Sequence, residues 1–138
     1  MTKRELLKDL SANVYCRIKP SALSGVGVFA IRQIPKGTNP FRGSRGAKLI
    51  SFSEKDITSV PAPIKKMIDD FCVFKNGGYL IPDFGLNSIG IAYFLNCSKE
   101  PNVIALAAGK NGDVEFIAKR KIKKGEELTV SCNTYSDE

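Results

Sequence analysis

The sequence predicts a β-rich α+β fold built as a single domain over residues 1–138. Three observations lead there. Short runs of β-branched and aromatic residues recur along most of the chain, several of them bounded by glycine, proline or asparagine, as in a set of small sheets. Helical spacing is confined to the first residues and to one central stretch. With 138 residues and 43% hydrophobic content, the chain can bury one core and is too short for two domains.

Lys3 to Leu10 has a short helical pattern, with Leu6, Leu7 and Leu10 on one face. Val14 to Ile18 and Val26 to Ile31 read as strands around a turn-rich Pro20 to Gly25, and Pro35-Lys36-Gly37 closes the unit. A polar bend over Phe41 to Gly46 precedes the apolar run Leu49 to Phe52. Ser53 with Asp56, then Pro61 to Phe71, predict helices, because Ile64, Met67, Ile68 and Phe71 recur at helical spacing behind a proline start. Asn76-Gly77-Gly78 between Phe71–Phe74 and Tyr79–Ile81 predicts a hairpin. Ile89 to Leu95 fits one or two helical turns, which ends a helical insert of about residues 53–95. Asn102 to Ala108, Val114 to Ala118 and Leu128 to Ser131 are strand-like, with a hairpin turn over Lys110 to Asp113. No internal repeat or linker stands out.

Composition removes several chemistries. There is no histidine, so Ser-His and Cys-His hydrolases and histidine-ligated metal sites are excluded. The four cysteines (Cys16, Cys72, Cys97 and Cys132) form no C-x-x-C pair, and no metal is expected. No apolar run approaches a membrane span, and the basic N-terminus lacks the apolar centre of a secretory signal. An intracellular protein, cytoplasmic or nuclear and without a membrane partner, is the expectation. That compartment argues against structural disulfides, and Cys16 and Cys72 read as small buried apolar residues. The net charge of +7 favours acidic partners. Its densest run, Lys119 to Lys124, has no interleaved aromatic residues for base stacking, so it reads as a solvated turn and direct nucleic-acid binding is not expected.

Gly25-Val26-Gly27-Val28-Phe29-Ala30 fits the dinucleotide fingerprint G-x-G-x-x-A in letters only. That fingerprint opens a helix and needs a ribose-binding acid about 20 residues on, whereas these glycines precede a β-favouring run and no acid follows at that distance. A better match is distributed along the chain. Ser24 to Ala30 continuing to Ile34-Pro35-Lys36-Gly37, then Tyr93-Phe94-Leu95-Asn96-Cys97-Ser98-Lys99-Glu100-Pro101-Asn102, then Gly125-Glu126-Glu127-Leu128-Thr129-Val130-Ser131-Cys132, occur in that order. This set resembles SET-domain protein-lysine methyltransferases, whose later motifs usually read RFINHSxxPN and GEELTxxY.

The resemblance implies a compact fold of several small sheets with a pseudoknot near the C-terminus, the cofactor S-adenosylmethionine, and a lysine-containing protein or peptide as substrate. It carries no cysteine-rich zinc segment after the last motif. By resemblance Ser24, Gly25, Val26 and Gly27 approach the cofactor through their backbone, as glycines permit. Asn96 helps hold it, and Tyr93 and Cys97 line it. Cys97 stands where the family usually has histidine, and Cys132 where it has the catalytic tyrosine. A thiol is a weaker donor than a phenol and titrates near about 8.5, so it serves as a base only if its environment tunes it. Tyr135, three residues on, is the alternative catalytic or channel-wall residue. Ile117 takes the position of an aromatic residue that controls how many methyl groups are added, and alternation sends Phe116 to the other face.

Two readings therefore compete: a SET-type lysine methyltransferase, and an impaired homologue that binds a peptide without turning it over. A basic nucleic-acid-binding β module is more remote. A homodimer is compatible with all three.

Overall fold

The computed structural model describes residues 1–44, 48–107 and 114–134. The expected turn over Lys110 to Asp113, the end of the bend at Gly46 and Tyr135 lie outside them. In chain order the elements are α1 (Lys3–Asn13), β1 (Cys16–Pro20), β2 (Val26–Ala30), β3 (Leu49–Phe52), α2 (Glu54–Ile57), α3 (Ala62–Phe71), β4 (Val73–Lys75) and β5 (Gly78–Pro82). A 3-10 turn (Ile91–Phe94) then leads to β6 (Asn96–Ser98), β7 (Val103–Ala107), β8 (Val114–Ala118) and β9 (Glu127–Ser131). Among the described residues these strands form three small sheets: β1-β2-β9-β6, β3-β5-β4 and β7-β8. The β-rich α+β class is the one expected.

The body is the four-stranded sheet. β2 lies antiparallel to β1 and β9, and β9 takes β6 on its other side in a parallel pair, Asn96 opposite Thr129 and Cys97 opposite Val130. Val28, Leu128 and Val130 are fully buried beneath it together with Ile34, Ile122 and Val103. Burying a side chain of this kind contributes about 1.5–3 kcal/mol.

Ile34 and Ile122 belong to a repeat that a first reading of the sequence overlooks. Ala30-x-Arg32-x-Ile34-x-Lys36-Gly37 recurs as Ala118-x-Arg120-x-Ile122-x-Lys124-Gly125. The two copies clasp each other almost symmetrically. Ile34 N–H donates to Ile122 O (2.8 Å) and Ile122 N–H to Ile34 O (2.9 Å). Gly37 N–H reaches Ala118 O (2.9 Å), while Gly125 N–H reaches Ala30 O (2.8 Å). Both glycines turn at positive φ, +85° and +91°, which side chains disfavour. The basic run 119–124 is thus a structural turn with an isoleucine pointing inward, as its solvated reading allowed.

The insert is a second, smaller unit. Buried Ile57, Ile68, Cys72 and Tyr79 form their own cluster, so the single core expected from length is divided in two. Ser53 and Asp56 complete a reciprocal cap at the start of α2. The β4–β5 turn holds Asn76 and Gly77 at φ 54° and 75°, the two positive values that a tight hairpin needs. Along α3, Lys65 pairs with Asp69 (2.9 Å) and Lys66 with Asp70 (2.6 Å). In α1, by contrast, Leu6, Leu7 and Leu10 are all exposed. That helix is held from its C-terminal end, where the Arg32 guanidinium donates to Ser11 O (3.1 Å) and Ala12 O (2.9 Å).

Candidate active site

The 3-10 turn delivers the chain to β6, an edge strand whose only sheet neighbour among the described residues is β9. Asn96 opens it. Its Nδ2 lies 2.8 Å from Glu127 Oε2, 3.0 Å from Val26 O, 3.2 Å from Ser21 Oγ and 3.3 Å from Ser24 O. Carboxylate and carbonyl oxygens only accept, so the amide orientation is fixed and its two protons are shared among four acceptors. Glu127 also accepts from the Ser21 hydroxyl at 2.7 Å. One amide thus joins the glycine segment, the asparagine motif and the glutamate motif, three stretches far apart in the chain.

The two glycines serve different ends. Gly25 sits at φ +46° with open space where a Cβ would stand, so it answers a turn. Gly27 has ordinary φ, but a Cβ there would run into the Glu127 carboxylate and the Asn96 amide. Its missing side chain is what lets those groups reach the backbone. Ser24, Gly25 and Val26 are solvent-facing, as is Cys97 across on β6.

Behind this rim, Asn102 is only 3% exposed and treats β9 as a strand partner. Its Nδ2 donates to Glu127 O (2.9 Å), and its Oδ1 accepts from Thr129 N–H (2.8 Å). Glu126, next to Glu127, points the other way. The Arg120 guanidinium, 2.8 Å from Oε2, and the Lys123 N–H hold its carboxyl below the usual carboxylate range.

Cys97 and Cys132 are joined as a disulfide, their Cα atoms 4.7 Å apart. This corrects the expectation that the cysteines stay unpaired. Their 35-residue separation hides the fact that the parallel β6–β9 pair sets Cys97 beside the turn after β9. In this state Cys132 has no thiol to act as an acid or base. Cys16 and Cys72 are buried free thiols, as anticipated, and burial pushes them up to about 12 and about 11.

A cavity of about 960 Å³ opens between β1, the insert sheet and β8. Tyr15, Phe41, Phe71, Phe84, Tyr93 and Phe116 supply its aromatic wall, and Phe41 meets Phe116 edge-on at 5.5 Å between ring centres. Tyr93 lies on this wall, not among the Asn96 partners. Ile117 is half-buried opposite Ile104 on β7, and its neighbour Phe116 faces the cavity instead. Phe41 was missed by sequence reasoning; only its place at a glycine-flanked bend hinted at a wall position. Among the described residues no cluster of acidic or sulfur side chains is arranged to bind a metal, and no helix is long and apolar enough to cross a membrane.

Comparison with known proteins accords with this geometry. A search of curated proteins finds no matching sequence. The solved structure of a Plasmodium falciparum "putative histone methyltransferase" superposes with a TM-score of 0.58 at 21% identity, covering 88% of this chain and 95% of that one. At that identity the likeness establishes the fold. The family model for the SET domain matches residues 25–133, from the first glycine of the rim to the turn beyond β9. The chain is therefore a member of the SET-domain family.

Proposed function

We propose that the protein is an S-adenosylmethionine-dependent protein-lysine methyltransferase. The observation that carries this is the Asn96 junction, which gathers the backbone of Ser24 and Val26, Glu127 and the open edge of β6 into one rim. The residues present fit an amino-acid nucleoside. With Nδ2 committed to protein acceptors, the Asn96 Oδ1 would accept from a donor on the ligand, and Cys97 would offer backbone on an edge strand. Ser24, Gly25, Val26, Asn96 and Cys97 would hold the cofactor, with Tyr93 approaching from the cavity side. When bound, it supplies an electrophilic methyl group.

The chain's own task is to bring in a neutral amine. A lysine titrates near about 10.4 in water, and an apolar channel favours its uncharged form. The aromatic cavity offers such surroundings, with Phe41 and Phe116 confining the alkyl stem. Alignment then lowers the barrier by making the reaction effectively unimolecular. Cys132 as a free thiol, or Tyr135, would accept the proton; Phe116, which faces the cavity in place of Ile117, would limit the room beside the amine.

The disulfide favours a second reading, a peptide-binding homologue without turnover, because it leaves no free thiol at position 132. Calorimetric titration with S-adenosylmethionine separates the two. Binding is expected, and Asn96→Ala should weaken it about tenfold or more through loss of charge-assisted and backbone contacts. No heat of binding from the wild type would overturn the enzyme reading and leave the peptide-binding one.

A further inference from the structure

We propose that Cys97–Cys132 is a reversible redox latch on the turn after β9, and that its opening switches methyl transfer on. The inference rests on the function proposed above and adds its regulation. Both cysteines of the pair are solvent-exposed, whereas Cys16 and Cys72 are each only 5% exposed. A thiolate reductant therefore meets one sulfur pair and no other, and an exposed disulfide is of the labile kind.

The two ends of the latch are anchored unequally. On β6, the neighbouring Asn96 has four polar partners of its own and needs no sulfur to stay in place. On the other side, among the described residues, 132–134 are held by hydrogen bonds at or near the surface. These are Thr134 N–H to Ser131 O (3.0 Å), Ser131 Oγ to Asn133 Oδ1 (2.7 Å) and Lys75 Nζ to Asn133 O (2.9 Å). Opening the latch thus leaves the Asn96 rim intact and releases the turn. It also restores a thiol to Cys132.

The chemistry is thiol–disulfide exchange with a dithiol. One thiolate of the reductant attacks a sulfur of the pair, breaking the S–S bond and forming a mixed disulfide. Its second thiol then displaces the bound cysteine. The protein gains two electrons and two protons, ending as two thiols, and the reductant leaves as a disulfide.

The test uses the full chain with and without dithiothreitol. Native maleimide labelling should rise by two thiols on reduction, with Cys16 and Cys72 unlabelled until the protein unfolds. Exchange of the Thr134 amide should speed up about tenfold, while that of Thr129, bonded to Asn102, stays within about twofold. Labelled methyl transfer from S-adenosylmethionine to a random lysine-peptide library should rise about tenfold, and cofactor affinity should hold within about twofold. Cys97→Ser, which leaves Cys132 as a thiol, should lose the response to dithiothreitol. The latch is overturned if Thr134 exchange and transfer are equal in both redox states, or if Cys97→Ser still responds. If neither redox state binds the cofactor, the proposed function fails instead. Thr134 exchange then decides the latch alone: faster on reduction sustains it, unchanged removes it.

Discussion

The insert and the Asn96 junction are stabilised by opposite means. In the insert, partners are near in sequence: Ser53 with Asp56, Lys65 with Asp69, and Val73 with Leu80 across a tight turn. At the junction they are remote, since Asn96 bonds Ser24 O and Val26 O, and Asn102 bonds the backbone of β9. The insert buries a small apolar cluster, whereas the junction places polar groups over the main core and pairs the Asn96 Nδ2, the Glu127 carboxylate and both ends of the Asn102 amide. Local contacts are replaceable one by one. A buried polar network fails as a unit, because losing one member strands the others.

Substitutions can break or sharpen that contrast. The largest effect belongs to the clasp beneath the junction, where Ile34→Ala and Ile122→Ala should each cost about 3–4 kcal/mol in chemical denaturation, with similar values for the two. Asn102→Ala should follow at about 3 kcal/mol, since two buried backbone groups of β9 lose their partners. Ile68→Ala, removing a buried side chain of the insert, should cost about 2–3 kcal/mol, with faster amide exchange confined to residues 54–82. Equal exchange changes across both regions would erase the distinction. Ser53→Ala, a lost helix cap, should cost about 1 kcal/mol.

The smallest effect is on pH dependence. Glu126 is held below its ordinary value, so its contribution to stability is present above about pH 4.3 and is lost as pH falls through the depressed folded value. Glu126→Gln should flatten the acid limb of stability measured by denaturation at stepped pH.

The same contrast decides what the sequence reveals. Leu49 to Phe52, Val114 to Ala118 and the helix behind Pro61 announce themselves by local pattern, and the structure has β3, β8 and α3 there. Asn96-Cys97-Ser98 has no strand period; it is a strand only because β9 lies alongside. The disulfide is hidden for the same reason, as is the choice between Phe116 and Ile117 at the cavity, which depends on how β8 is rolled against Phe41. Motif resemblance named the family and the rim residues Ser24, Gly25, Val26, Gly27, Asn96 and Cys97. It did not show that Gly27 makes room for Glu127, which takes three-dimensional proximity to see.

One topological fact governs how the molecule comes into being. β9, the last of the strands among the described residues, sits inside its sheet between β2 and β6. During synthesis β1 and β2 can pair early and the insert can close on itself, but β6 has no neighbour until residues 127–131 emerge. Until then the apolar faces of Val28 and Ile34 await their partners and are open to wrong ones. The main core is therefore completed in one late, long-range step of high contact order, a slow kind of folding in which an unfinished chain is exposed to aggregation.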